Sequence, residues 1–326
     1  MKNKPTCYDV RGEIPEIYSG VPTFLGLPKV TEEEIDGHDV IVMGAPWEGI
    51  CTTGSYTGCE LGTKTIRSAS IRYGGYLPEF DYDAFDYISA GDFGDAAHFP
   101  GDSAATFDSI EKKADAIFSR NKRSLCFGGD HSITIPMLRS LAKNFPGKRI
   151  GVVHFDAHLD NMPSFLDKEP LARCCPMHRA YDMEEIASII HVGIRGPRNN
   201  FRGLEHARKH KATVVSSFEL HQKGIDAVFD TIKETVLDKS DIVYLTICSD
   251  ALDVSENPGG PSDFAGLTSY QLLSLVHRVA AEGIQGLDFV EIYPPQDHAG
   301  ISSHMAAWAG IYGISGIAKW KINKEY

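Results

Sequence analysis

The chain lacks any apolar run long enough to cross a bilayer. Its longest, such as Val40–Gly44 and Ile242–Ile247, are of strand length, whereas a spanning helix needs about 20 such residues. Met1–Ile14 is polar and lacks the apolar core of a secretory signal. The cysteines make no framework: there are seven, an odd number, scattered and without zinc-ribbon spacing. Free thiols of this kind fit a reducing compartment, so a cytoplasmic protein is expected. Nor is there an excess of positive charge. With 32 Lys and Arg against 44 Asp and Glu, the formal net charge is −12. Such a balance argues against nucleic acid as a partner and is compatible with cationic ligands. No repeat, low-complexity tract or Pro/Gly-rich linker divides the chain. We therefore expect one domain over 1–326, with roughly the first 35 residues as an N-terminal arm.

What is present is an alternation of short apolar segments with helix-like ones. Val40–Met43, Tyr87–Ala90, Ser124–Phe127, Gly151–Phe155, Ile189–Val192, Thr213–Val215, Ile242–Ile247 and Gly286–Val290 read as strands. Several are apolar throughout, as parallel strands buried on both faces require. Ala104–Ser119, Thr134–Lys143, Ala227–Leu237 and Ser269–Ala281 read as helices. This pattern predicts an α/β fold with one parallel sheet of about eight strands, covered by helices on both sides. Ligands of such sheets bind beyond the carboxyl ends of the strands.

Polar clusters stand at four of those ends: Gly128-Gly129-Asp130-His131-Ser132, Asp156-Ala157-His158-Leu159-Asp160, Cys248-Ser249-Asp250-Ala251-Leu252-Asp253, and Glu291. Asp156, His158 and Asp160 are two residues apart, so in an extended segment their side chains point the same way. Ser132 reads as the N-cap of the following helix, and the glycine pair as the tight turn that presents His131. Carboxylates and imidazoles converging on one pocket suit divalent transition metals.

The order of these motifs resembles that of the arginase–agmatinase (ureohydrolase) superfamily. Gly20–Pro28 (GVPTFLGLP), Gly44–Glu48 (GAPWE), Gly62–Ser68 (GTKTIRS), His191–Arg195 (HVGIR) and Asp288–Pro294 (DFVEIYP) also look like agmatinase-type segments. The resemblance implies a three-layer α-β-α arginase-like fold and hydrolysis of a small guanidino compound to an amine and urea, with water activated by two divalent metal ions, manganese or nickel. It implies one metal on His131, Asp156 and Asp160 and the other on Asp156, His158 and Asp250. Asp160 and Glu291 would be catalytic, with Glu291 also gripping the substrate's guanidinium. It further implies a homo-oligomer, a trimer or hexamer.

Two positions depart from that pattern. Cys248 stands where the family has an Asp that bridges both metals. Two readings stay open: a thiolate that bridges and favours softer metals, or a small buried thiol that leaves one metal or none. Arg173, in Leu171–Ala180 (LARCCPMHRA), stands where the family carries a proton-shuttling His. An arginine stays protonated and cannot shuttle; it would instead hold a substrate carboxylate, with His178 as the substitute shuttle. Val254 also replaces the family's proline. Besides an amidinohydrolase, three readings follow: a non-catalytic subunit assembling with an active paralogue, a single-metal amidohydrolase on Asp156, His158 and Asp250, and a formimidoylglutamase-like enzyme.

Overall fold

A computed structural model describes residues 20–50 and 57–325; the polar Met1–Ile14 segment and most of the expected arm lie outside the described residues. Ten strands are present among them: β1 (Val40–Ala45), β2 (Tyr76–Leu77), β3 (Tyr82–Asp83), β4 (Ala90–Asp95), β5 (Arg123–Gly128), β6 (Ile150–Phe155), β7 (Ile186–Ile194), β8 (Thr213–Ser216), β9 (Ile242–Cys248) and β10 (Gly286–Val290). Eight form one sheet in the order β4-β1-β5-β10-β9-β6-β7-β8, and every pairing within it is parallel. β2 and β3 make a separate antiparallel pair.

The sheet is buried on both faces, which is why its strands read as unbroken apolar runs. In β1, Val40 and Val42 face one core while Ile41 and Met43 face the other. The first core is closed by α1 (Gly62–Ser70), α6 (Ser217–Thr235), α7 (Ser269–Ala281) and α8 (Ile301–Glu325). The second is closed by α2 (Ser103–Phe118), α3 (Thr134–Asn144) and α4 (Pro176–Tyr181). α5 (Phe201–Lys209) packs Ala207 with Leu159 and Ile194 in a small third cluster. This is the layered α/β arrangement expected of an arginase-like chain. No helix among the described residues is long and apolar enough to cross a membrane.

The expected strand Tyr87–Ala90 is displaced: β4 starts where that segment ends. Asp83 accepts a hydrogen bond from the Phe85 amide and starts a 3-10 turn over Ala84–Asp86, which carries Tyr87 past the sheet. β4 then runs through Asp92 and Asp95, so hydropathy does not mark it. Their charge is balanced by Arg67, with Nε 2.8 Å from Asp92 and Nη1 2.5 Å from Asp95. The helix expected at Ala227–Leu237 is the second half of α6, which begins at Ser217 under a Ser216 cap and breaks at Gly224, φ 83°. α8 went unread because it is apolar on all sides and shows no 3.6 period. Gly316 lets it meet α7 closely, since a Cβ there would lie 2.5 Å from the His277 carbonyl oxygen.

Candidate metal centre

The four motif-bearing strands β5, β10, β9 and β6 are consecutive in the sheet, so their C-terminal ends deliver the polar clusters to one place. Local detail differs from the sequence reading. The turn after β5 needs Gly129 for close approach, because a Cβ would meet the Trp47 carbonyl oxygen at 2.1 Å. Asp130, not Ser132, caps the 3-10 turn His131–Ile133 by accepting from the Ser132 amide. The segment from Asp156 to Asp160 is also not extended. β6 ends at Phe155, and Asp160 adopts φ 42°, so the bend rather than a period of two gathers these side chains.

His131 Nδ1 lies 2.9 Å from Asp156 Oδ2 and 3.0 Å from Asp160 Oδ2. His158 Nδ1 lies 3.3 Å from Asp156 Oδ1 and 3.1 Å from Asp250 Oδ2. The opposite nitrogens face further oxygens. Thr246 spends its hydroxyl proton on Asp288 Oδ1 at 2.6 Å, so at 3.0 Å it accepts from His131 Nε2–H. Thr134 and Tyr244 donate to the other Asp288 oxygen. His158 Nε2 faces Asp263 Oδ2 at 3.4 Å, and Arg198 pairs with the same oxygen at 2.7 Å. Both Nδ1 atoms therefore face a space rimmed by carboxylate oxygens while the opposite nitrogens lie against Thr246 and Asp263, as in histidines whose outer nitrogen is held so that the inner one can ligate a metal.

His131 Nδ1 is buried and has no aligned hydrogen bond among the described residues despite its two close oxygens. Such convergence without alignment fits a shared cation better than a set of hydrogen bonds. Donor atoms of His131, Asp156 and Cys248, and of Asp156, His158 and Asp250, each lie within 4.8 Å of one another. Cys248 thus joins the first set, beside Asp160. Burial disfavours protonated His131, yet Asp156 and Asp160 outweigh it and hold the ring well above its ordinary pKa. Burial would raise Asp156, but His131, His154 and His158 hold it well below the usual carboxylate range. Cys248 is only 2% exposed, and burial followed by the charges of Asp156 and Asp250 pushes its thiol up.

Behind Asp156 runs a buried relay that the sequence reading missed. His154 Nε2 is 3.1 Å from Asp156 Oδ2, His154 Nδ1 is 2.7 Å from His191 Nδ1, and His191 Nε2 is 2.7 Å from the Tyr181 hydroxyl. Burial and neighbouring His154 hold His191 well below its ordinary pKa, so it is neutral. One assignment satisfies every atom: Tyr181 donates to His191, His191 to His154, and His154 to Asp156. The signal was a histidine inside each of two apolar strands, which the register pairs directly.

Beside this centre, Glu291 sits at φ 65°, a left-handed conformation that costs a non-glycine residue on the order of 1 kcal/mol and is typical of functional sites. Its Oε1 accepts from the His131 amide at 2.8 Å. Its Oε2 faces Arg173 Nη1 at 3.3 Å and accepts from the Tyr293 hydroxyl. Arg173, 5% exposed, also contacts the Tyr293 hydroxyl and places Nη2 3.4 Å from Glu48 Oε1 and 3.7 Å from Asp130 Oδ2. Burial disfavours this cation, and Glu291 and Asp130 outweigh burial to hold it protonated. Glu48, Asp130 and Tyr293 were not foreseen as its partners. His178 does not line the cavity: its Nδ1 is 3.1 Å from the Asn161 carbonyl oxygen and its ring stacks on His206 at 4.6 Å.

The centre opens into a cavity of about 290 Å³ walled by His158, Asp160, Arg173, Cys248, Asp250 and Glu291, with Arg198, Asn199 and Asn200 also among its lining. Comparison with known proteins agrees with this fold. Residues 38–312 match the model of the arginase family. The chain is 32% identical to proclavaminate amidinohydrolase of Streptomyces clavuligerus over 90% of its own length and 92% of that protein's. The solved structure of that enzyme superposes with a TM-score of 0.84 at 31% identity, covering 93% of this chain and 99% of the other. Agmatinase of Chromobacterium violaceum is 31% identical, over 90% of this chain and 88% of its own. A crystal structure of formimidoylglutamase from Bacillus subtilis gives a TM-score of 0.79 at 26% identity, covering 86% of this chain and 87% of that one.

Proposed function

The chain belongs to the arginase family, and from that premise we propose that it hydrolyses a small guanidino compound with a neutral or anionic tail. In balance, a guanidinium R–NH–C(NH2)2+ and one water give R–NH3+ and urea, breaking one C–N bond and forming one C–O bond. The observation that carries this reading is the convergence of two Nδ1 atoms, of His131 and His158, on Asp156, Asp160 and Asp250.

His131, Asp156, Asp160 and Cys248 would hold one divalent ion, and Asp156, His158 and Asp250 a second, manganese or nickel. Bound there, the ions supply the positive charge that makes water a nucleophile at neutral pH. Asp160, at the cavity wall, would take a proton from the attacking water. Glu291 would orient the guanidinium through charge-assisted hydrogen bonds. Arg173 and Arg198 both border the cavity, so a second cation on the substrate's tail would meet like charge.

A second reading, a non-catalytic subunit, is favoured by one observation: Glu291 is already paired with Arg173. The test is urea release by the full chain, loaded with manganese or nickel, from guanidino acids and from agmatine, with a formimidoyl amino acid alongside. Hydrolysis of guanidino acids ahead of agmatine is the expected result. A preference for agmatine would overturn the tail assignment. No turnover of any compound by metal-loaded protein would select the non-catalytic reading. We also propose a homo-oligomer, a trimer or hexamer; a monomer in sedimentation at micromolar concentration would contradict it.

A further inference from the structure

The residue at the departing position does more than fail to shuttle protons. Its side chain ends in a guanidinium, the group that a guanidino substrate presents, and that guanidinium is docked on Glu291. Nη1 faces Glu291 Oε2 at 3.3 Å and contacts the Tyr293 hydroxyl, while Nη2 faces Glu48 at 3.4 Å and Asp130 at 3.7 Å. Three carboxylates thus surround one planar cation at the wall of the cavity that holds Cys248 and Asp250. We propose that Arg173 is a built-in occupant of the guanidinium seat: the resting chain turns free guanidinium-type cations away from Glu291, and a guanidino ligand enters only by displacing Arg173. This rests on the reading of Glu291 as that seat.

Two further features support an exchangeable occupant over a rigid structural pair. Arg173 is held through its Nη atoms alone, for its buried Nε has no hydrogen-bond partner among the described residues. A side chain fixed for architecture usually spends the whole fork, as Arg67 does with Nε and Nη2 on the two oxygens of Asp92 and Nη1 on Asp95. Arg173 also stands in turns between β6 and α4, so it can swing without unwinding a helix or leaving a strand. The consequence is selective. A bare guanidinium competes poorly with a tethered one at high effective concentration. A substrate whose tail gains contacts along the Arg198–Asn200 side of the cavity can outbid it.

The test is binding, not turnover, which keeps it separate from the hydrolytic reading. Guanidinium chloride and methylguanidine at low millimolar concentration are titrated calorimetrically, at mildly alkaline pH, into the wild-type full chain, Arg173→Ala and Arg173→Ala/Glu291→Gln. Sodium chloride is the control. The expected result is saturable binding to Arg173→Ala at least about tenfold tighter than to wild type, lost again in the double variant, the scale of one charge-assisted pair. Where Arg173→Ala alone does not fold, Arg173→Ala/Glu48→Gln removes one uncompensated charge, keeps Glu291 and gives the same reading. Equal affinity in wild type and variant, or a folded variant that binds no guanidinium, would overturn the proposal. Guanidinium binding by the variant alongside absent urea release would uphold the occupied seat and sink the hydrolytic function alone.

Discussion

Two crowds of buried carboxylates stand side by side at the C-terminal edge of the sheet, and they are neutralised from different sources. Around β6 and β9, Asp156, Asp160 and Asp250 face the imidazoles of His131 and His158, while Arg198 in the same cavity is paired with Asp263. Around β10, Glu291, Asp130 and Glu48 close on Arg173. In the proposed function the first crowd is completed by divalent cations from outside, while the second carries its own cation in Arg173. Buried charge must be paired wherever it occurs; the proposed function meets that requirement with metal ions in one place, and an internal salt bridge meets it in the other. A single residue position, 173, decides which rule the substrate end of the cavity follows.

The largest effect that separates the two regions should come from removing the internal cation. Arg173→Met keeps the stem and deletes the charge, leaving three carboxylates short of a partner; breaking a buried pair in this way costs about 3–5 kcal/mol. Urea denaturation of the metal-loaded protein measures it. A loss below about 1 kcal/mol would mean that the acidic group is neutralised by protons, and the contrast between the regions would weaken.

In the other crowd, support comes from the relay behind Asp156, and the expected effect is on affinity. His154→Ala removes the donor that orients Asp156 Oδ2 and cuts the relay to His191 and Tyr181. Losing such an outer partner typically lowers metal affinity about 10–100-fold. Competition with a fluorescent chelator reads this directly. An unchanged dissociation constant would reduce the relay to core packing.

These groups also mark where sequence reading stopped. The convergence of the proposed metal ligands was legible because their motifs follow apolar strands, and parallel strands bring their ends together whatever the loops do. The bends were not: Asp160 joins His131 through a left-handed backbone turn, which the two-residue spacing does not encode. Arg173 was readable as a misfit at its position, but its partners were not, since Glu48, Asp130 and Glu291 come from three distant segments. The relay hid in plain composition, as one histidine in each of two strands that only the register makes neighbours. Of the fold, β4 was misplaced because its acidic residues are carried there by pairing with Arg67, and α8 was lost because its apolar residues are spread around the helix and mark no single face.

The smallest effect concerns metal choice. Cys248→Asp replaces a soft, neutral thiol with a hard carboxylate in the set with His131 and Asp156. Manganese affinity should rise by about tenfold or less relative to nickel. Equilibrium dialysis of each metal against wild type and variant checks this. An unchanged manganese-to-nickel ratio would place Cys248 outside the coordination sphere.

The difference between the two crowds is tested most directly by counting divalent ions on the full chain, purified without chelator, saturated with manganese or nickel, and desalted. Two ions per chain are predicted for wild type. Glu291→Gln, in the self-neutralised region, should retain both. Asp156→Ala, which removes the carboxylate shared by His131 and His158, should lose both. A wild type that binds no metal, or an Asp156→Ala variant that keeps its full complement, would contradict the assignment of the first crowd as the metal centre.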